Sequence, residues 1–132
     1  MEFTGYFDPV IILDEAHTTA GRPHVCDRIR IHTPTHGFPD LDGIRLALLG
    51  VPESRNALKN KGCEEGPDEI RRFLYRLFPP QFHLPVADLG NLKSGQTPAD
   101  TYSGLAQVFA WLIAQDIIPV ILGGSQDLTW GA

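Results

Sequence analysis

The segment that most constrains the fold is the apolar run at residues 118–122, which leads directly into Gly123 and Gly124. Apolar residues without alternation are typical of a parallel strand covered on both faces. The two glycines permit a sharp exit from the strand that larger residues resist. Ser125, Gln126 and Asp127 follow, and in open α/β sheets ligands bind at the carboxyl ends of strands. The pattern therefore predicts a functional edge formed by the residues from Gly123 to Asp127.

Two strand–helix units precede this run. Apolar patterns predict buried strands at residues 44–51 and 84–89 and helices at residues 67–77 and 98–115. The second helix has a complete start signal, with Thr97 as N-cap, proline at the first helical position and an acid at the third. The order strand, helix, strand, helix, strand implies parallel pairing with right-handed crossovers. We therefore expect an α/β fold, a three-layer αβα arrangement with a parallel sheet.

Both helices are expected to be amphipathic. In the first helix, the apolar residues at helical spacing that should face the core are Ile70, Phe73, Leu74 and Leu77. In the second helix, the corresponding residues are Leu105, Phe109, Leu112 and Ile113. The arginines of the first helix are expected on its solvated outer face, within reach of Asp68 or Glu69; they are Arg71, Arg72 and Arg76.

The chain divides by pattern into two parts. Residues 1–43 are irregular and proline-rich, with one short strand predicted at residues 10–13, and we expect an N-terminal extension that wraps the core. Residues 44–132 are expected to form the first part of an incomplete α/β domain, because a Gly-Gly-polar turn after a buried strand normally leads into a helix. An uncovered strand edge would favour self-association.

Composition limits the classes of partner. The chain has 132 residues, of which 42% are hydrophobic and 20% charged, as in one globular domain. A net charge of -5 without a dense basic run argues against nucleic acid or an anionic membrane surface, so small molecules are the expected partners. Apolar runs fall short of the roughly 20 residues that span a bilayer. Cys26 and Cys63 show no disulfide-framework spacing, which favours a cytoplasmic protein with reduced thiols.

Four motifs together resemble the ureohydrolase family of arginase, agmatinase and formimidoylglutamase. Leu49-Gly50-Val51-Pro52 resembles the end of the family's first strand, and Gly62 to Arg71 resembles its Gly-x-x-x-Gly-Pro-x-x-Ile-Arg segment. Asp88-Leu89-Gly90-Asn91 resembles the Asp-x-Gly-Asp motif. The frame from Gly123 to Gly131 resembles the first metal motif, Gly-Gly-Asp-His-Ser, with Gln126 at the position of the ligating histidine. The motifs occur in the family's order over residues 44–131.

The resemblance implies an N-terminal portion of an arginase-like fold and an enzyme that uses two Mn²⁺ ions. In this family the metals are held by His and Asp and activate a hydroxide that attacks a guanidinium or formimino carbon. In the family, the other ligand motifs, Asp-Ala-His-x-Asp and Asp-x-Asp, lie further along the sequence than the Gly-Gly motif; the one Asp-x-Asp in residues 1–132, Asp40-Leu41-Asp42, lies before the first family motif and does not match that order. The chain is therefore expected to bind no Mn²⁺, to hold no catalytic residue of its own and to be inactive alone. The resemblance also favours a homo-oligomer and a small amidine or guanidino substrate.

Two interpretations of Gln126 remain open. Its amide oxygen could be a weak ligand in a longer parent protein, or Ser125, Gln126 and Asp127 could simply cap the following helix. The corresponding functions are a hydrolase of C–N bonds in linear amidines and a non-catalytic, pseudoenzyme-like α/β module.

Two other motifs suggest different chemistry. Residues 14–17 spell Asp-Glu-Ala-His, as in DEAH-box helicases, but the phosphate-binding loop that such enzymes require is absent from the sequence. His24, Cys26, His32 and His36 could supply zinc ligands, but their spacing matches no common zinc motif.

Overall fold

The computed structural model describes residues 3–11 and 21–132. The elements in these ranges are, in chain order, β1 (Phe7–Asp8), β2 (Arg30–Ile31), β3 (Leu46–Val51), α1 (Gly66–Leu74), β4 (Val86–Leu92), α2 (Pro98–Ile113) and β5 (Ile118–Gly123). Short 3₁₀ helices occur at Phe3–Tyr6, Val25–Asp27, Cys63–Glu65 and Gln126–Gly131. The predicted alternation of three main strands and two helices is confirmed.

One sheet contains all five of these strands, in the order β1-β4-β3-β5, with β2 also paired to β4. The three main strands are parallel, as predicted, and β2 pairs with β4 in the same sense. β1 pairs with β4 antiparallel, with Phe7 opposite Leu92, so the sheet is mixed rather than purely parallel. The strands β1 and β2 were not predicted, because two residues are too few to show periodicity.

The N-terminal residues that are described lie against the sheet. Phe3, Phe7 and Val10 are buried, and β1 and β2 cover one edge of β4. Val10 and Ile11 are not in a strand, contrary to the prediction for residues 10–13. The other half of that segment, and the Asp-Glu-Ala-His motif at residues 14–17, lie outside the described residues.

The two helices cover opposite faces of the sheet, as expected for three layers. The core on one face joins α2 to alternate residues of β3, which are Ala47, Leu49 and Val51. On the other face, a Cβ placed on Gly50 would lie 2.8 Å from Pro67 Cβ in α1. α1 therefore packs on the face opposite to α2. Neither of these described helices is long and apolar enough to cross a membrane.

The predicted buried face of α1 is wrong for three of its four residues, whereas Leu74 is partly buried against Val10 and Tyr75. Ile70, Phe73 and Leu77 are 43%, 71% and 57% exposed, whereas Arg71 and Tyr75 are fully buried. α1 places Arg71 towards the sheet because this side chain binds the Asp88 carboxylate on β4. The apolar residues on the opposite side of the helix therefore point to solvent. Arg72 and Arg76 are on the outer side, as expected, and Arg72 binds Glu69 at 2.9 Å.

The start of α2 follows the prediction closely. The Thr97 hydroxyl accepts a hydrogen bond from the backbone N–H of Asp100, and the Asp100 carboxylate accepts one from the backbone N–H of Thr97. Leu105, Val108 and Leu112 are fully buried. Phe109 is partly buried against the core, but Ile113 is 59% exposed, so its predicted burial is wrong.

β5 is less covered than its apolar sequence predicts. Ile118 is 64% exposed, and of this strand only Leu122 is buried. Within the described residues β5 pairs with β3 alone, so its other side is open. β5 contacts both α1 and α2, so each of its faces is covered in part, as expected, whereas its outer edge is open within the described residues.

Candidate functional site

The predicted functional edge lies where the carboxyl ends of β3 and β5 meet. Gly124 N–H donates to Val51 O at 3.1 Å, and Ser125 N–H donates to Glu53 O at 2.8 Å. The Ser125 hydroxyl donates to the same carbonyl at 3.1 Å. Three hydrogen bonds thus fix the start of the turn to the backbone that leaves β3.

The close approach of two backbone segments explains why position 124 is a glycine. A Cβ on Gly124 would lie 2.2 Å from Glu53 O and 2.7 Å from Val51 O, distances that no side chain can occupy. On Gly123 the nearest neighbours would be 3.9 Å away, which is ordinary contact. Neither glycine has a positive φ, so backbone proximity at Gly124 is the main requirement, rather than a special turn conformation.

Glu53 is the buried anion of this edge, with 2% of its side chain exposed. Arg55 Nη2 donates to its carboxylate at 2.6 Å, and Thr101 in α2 donates at 3.1 Å. Hydrogen bonds from Arg55 outweigh the cost of burial and lower the pKa of Glu53 from 4.5 to about 2. Arg55 also donates to the carbonyls of Gly95 and Gln96 just before α2, so this pair joins the loop after β3 to the start of α2.

Asp127 is the second anion. Its carboxylate accepts a hydrogen bond from the Tyr102 hydroxyl in α2, and that hydroxyl accepts one from Asn56 Nδ2 at 3.0 Å. Partial burial opposes ionisation of Asp127, but the hydrogen bonds that favour its charged form, including the one from Tyr102, outweigh burial and lower its pKa. The same contact with Asp127 raises the pKa of Tyr102. Asp127 is therefore ionised at neutral pH and tied to α2.

An open cavity of about 370 Å³ lies beside the turn. The loop after β3 and the turn after β5 form its two walls. The described lining residues are Asn56, Ala57, Leu58, Lys59, Asn60, Cys63, Gly124, Ser125, Gln126 and Asp127. Gln126 is exposed, and its backbone carbonyl accepts a hydrogen bond from Thr129. The cavity thus presents amides, a hydroxyl, one cation and one anion.

The donors at this turn do not fit a pair of Mn²⁺ ions. Hard divalent metals of this kind need several carboxylate or imidazole ligands, whereas this turn offers a hydroxyl, a neutral amide and a single carboxylate, whose Oδ2 is bound by Tyr102 and whose buried Oδ1 has no hydrogen-bond partner among the described residues. In the described part of the chain, no three His, Cys, Asp or Glu side chains are grouped closely enough to hold a metal ion.

The zinc hypothesis likewise gains no support from the described residues. His32 Nδ1 lies 2.9 Å from Leu89 O, and His36 Nδ1 lies 3.3 Å from Thr33 Oγ1. The His24 ring stacks on Phe78. These imidazoles therefore have separate local contacts.

A second polar cluster lies beneath α1, and sequence reasoning missed it. Arg71 is fully buried and forms a two-point pair with Asp88, with Nε and Nη2 each 2.8 Å from a carboxylate oxygen. Arg71 Nη1 also lies 2.5 Å from Asn91 Oδ1. Tyr75 donates its hydroxyl to Asp88 at 2.6 Å, and burial, followed by the charge of Asp88, raises the pKa of Tyr75. Burial opposes the charge of Arg71, but its bonds with Asp88 raise its pKa.

A β-bulge at Gly90 brings Asp88 and Asn91 to one face of the sheet. Leu48 pairs with Asp88 but Gly50 pairs with Asn91, so β4 has one extra residue here. Gly90 has φ +89°, and a Cβ would lie 2.0 Å from Asp8 O, so only glycine fits. Residues three apart in a regular strand point to opposite faces. The bulge corrects this parity and lets both side chains reach Arg71.

Three of the four family motifs therefore meet in this cluster. Gly50 leaves room for it, since a Cβ there would lie 2.0 Å from Asn91 Oδ1 and 3.0 Å from Arg71 Nη1. Asp88 is the sequence feature that could have revealed this cluster, because a lone carboxylate in an apolar strand requires a buried partner. The expectation that Arg71 is a solvated surface residue is wrong.

Comparison with known proteins gives one family. A model of the arginase family matches residues 44–132. A formimidoylglutamase from Hahella chejuensis is 37% identical over 127 residues, which are 91% of this chain and 39% of that protein.

Solved structures agree in fold. A formiminoglutamase from Trypanosoma cruzi, crystallised with Mn²⁺, superposes with a TM-score of 0.66 at 19% identity, over 82% of this chain and 37% of that chain. A formimidoylglutamase from Bacillus subtilis gives 0.68 at 21% identity, over 87% of this chain and 37% of the other. The chain thus spans less than two-fifths of the length of these relatives. The predicted membership is confirmed by the matched residues and by the fold: the chain belongs to the arginase family.

Proposed function

We propose that this chain is the N-terminal part of a hydrolase that cleaves C–N bonds in linear amidines, with formimidoylglutamate as the first substrate to test. Residues 1–43 are its N-terminal extension, and residues 44–132 begin the domain. The observation that carries the proposal is the turn from Gly124 to Asp127, which is held beside an open cavity at the carboxyl ends of β3 and β5. The 37% identity to a formimidoylglutamase over most of the chain supports the choice of substrate.

The charges of the cavity suit such a molecule. Asp127 is an anion that can face an amidinium, and Lys59 is a cation that can face a carboxylate. Formimidoylglutamate carries both groups, whereas agmatine carries no carboxylate. The amides of Asn56 and Asn60 add hydrogen-bonding groups for orientation.

The chain by itself is proposed to be inactive and to bind no Mn²⁺. Its share of the work is to bind and orient the substrate along one wall, because the donors at Ser125, Gln126 and Asp127 do not suit the metal pair. The parent is proposed to be a cytoplasmic homo-oligomer without a nucleic-acid partner. Both described thiols, Cys26 and Cys63, are unpaired, which suits a reducing compartment.

A chimera tests this proposal. This chain replaces the matching 39% of the Hahella formimidoylglutamase, and glutamate release and Mn²⁺ content are measured for the chimera with Gln126 and for Gln126→His. We expect the chimera with Gln126 to bind Mn²⁺ weakly and to release glutamate at raised Mn²⁺ concentration, and the Gln126→His form to bind Mn²⁺ more tightly and turn over faster, because imidazole is the better ligand. A folded Gln126→His chimera that binds no more Mn²⁺ and releases no more glutamate than the chimera with Gln126 would contradict the alignment and the proposed function.

A non-catalytic, pseudoenzyme-like module is the second candidate. The observation in its favour is the exposed neutral amide of Gln126 at the family's ligand position, next to an Asp127 that is bound to Tyr102. Under this alternative the chimera with Gln126 folds with normal thermal stability yet releases no glutamate at any Mn²⁺ concentration. Measurable turnover with Gln126 would exclude it.

A further inference from the structure

The turn after β5 is held on two sides by hydrogen bonds to other segments of the chain. At its start, Ser125 is bound to Glu53 O through both its N–H and its hydroxyl, at 2.8 and 3.1 Å. Further along, the Asp127 carboxylate accepts a hydrogen bond from Tyr102. The 3₁₀ helix Gln126–Gly131 that follows is also held in place by Leu128, whose side chain is buried and only 3% exposed.

Tyr102 is well placed to act as the outer anchor. It lies in the first turns of α2, just after the capping box between Thr97 and Asp100 that fixes the start of this helix. Gly131 packs directly on its backbone, since a Cβ there would lie 2.8 Å from Tyr102 Cα. Asn56, from the loop after β3, donates to the Tyr102 hydroxyl at 3.0 Å. One hydroxyl therefore joins three segments around the cavity.

We propose that Tyr102 is a positioning residue that fixes the turn after β5 through Asp127 and thereby orders this edge of the sheet without a metal ion. The Asn56 amide donates to the hydroxyl, and the hydroxyl donates to the carboxylate, so each donor faces an acceptor. The carboxylate held in this way is the one charged side-chain group among Ser125, Gln126 and Asp127. This role is independent of the proposed function, because it needs neither substrate nor turnover.

Hydrogen exchange of the 132-residue chain, followed by mass spectrometry, tests the proposal. Wild type is compared with Tyr102→Phe in EDTA and in excess MnCl₂. We expect Tyr102→Phe to speed exchange in residues 126–131 by roughly tenfold, the effect of losing one hydrogen bond to a charged group, while β3 and β4 stay protected. MnCl₂ should leave the wild-type rates unchanged.

The matched control is Tyr6→Phe. Tyr6 also bonds a residue of α2, with its hydroxyl 3.3 Å from Gln107 Oε1, but it has no contact with the turn among the hydrogen bonds described. This variant should leave exchange in residues 126–131 as in wild type.

Asp127→Asn approaches the same bond from its other end. The double variant with Tyr102→Phe should exchange no faster in residues 126–131 than the faster single variant, because both changes remove one interaction. Additive effects of the two changes, unchanged exchange in Tyr102→Phe, or slower wild-type exchange in MnCl₂ would each overturn the proposal.

Discussion

Asp88→Asn removes the negative charge of the cluster beneath α1 without changing its size. Arg71 and Asp88 are both fully buried, so the variant leaves a buried guanidinium with only Asp68, whose side chain is 35% exposed and lies 3.2 Å from Nη1, as a counter-ion. The four groups that bind the Asp88 carboxylate are all donors: Arg71 Nε, Arg71 Nη2, the Tyr75 hydroxyl and Gly90 N–H. An asparagine NH₂ group must face one of them, which adds an unsatisfied contact.

The expected loss is large for a domain of this size. Breaking a buried ion pair by removing one partner costs about 3–5 kcal/mol. A domain has a total stability of about 5–15 kcal/mol, so this one atom change removes a fifth or more of it. The melting temperature should fall by roughly 10 °C. Urea unfolding followed by circular dichroism measures the change in free energy directly.

The matched control is Glu69→Gln on the same helix. Its partner Arg72 lies 2.9 Å away, but the two side chains are 39% and 53% exposed, so the expected loss is below about 1 kcal/mol. Adding Arg71→Met to Asp88→Asn removes the cation that has lost its buried partner and should restore part of the stability. Equal, small losses for Asp88→Asn and Glu69→Gln would refute the view that the buried pair holds α1 on the sheet.

Two further predictions concern the edge at β5 and its buried glutamate. Gly124→Ala should lower the free energy of unfolding in urea by more than about 2 kcal/mol, because its Cβ would meet two carbonyl oxygens. Gly104→Ala, whose Cβ would meet nothing within 4 Å, should raise that free energy by about 0.5–1 kcal/mol. An unchanged free energy of unfolding for Gly124→Ala would contradict the close approach. Because the pKa of Glu53 is lowered from 4.5 to about 2, its stabilisation is present above pH 4.5 and is lost as the pH falls towards 2. Glu53→Gln should therefore flatten the pH dependence of the melting temperature in that window, and an identical pH profile for both proteins would rule out this role.

The parts of the fold that depend on local signals could be predicted from the sequence. Thr97 and Asp100 are three residues apart, so the cap of α2 is visible in the sequence itself. The main strands are apolar runs, and their parallel pairing follows from the helices between them. The position of the turn at Ser125 follows from the strand before it.

The buried face of α1 could not be predicted in this way. Arg71 and Asp88 are 17 positions apart and meet only because α1 packs on β4. Helical periodicity placed Ile70 and Phe73 inside, but it gives no weight to a buried charge pair. The contacts of the candidate site are similarly distant, since Tyr102 and Asp127 lie 25 positions apart. Patterns within one element therefore located the site but did not supply its bonds.

The bulge at Gly90 has a consequence for how relatives of this chain are recognised. Because Asp88 and Asn91 serve the packing of α1, the Asp-x-Gly-Asn spacing is expected wherever this helix packs in the same way, whatever residue stands at position 126. A one-residue deletion there would turn one of the two side chains away from Arg71 and unseat the helix. The motif is therefore a marker of the architecture, and sequences that carry it should include both metal-dependent hydrolases and chains that have lost the metal.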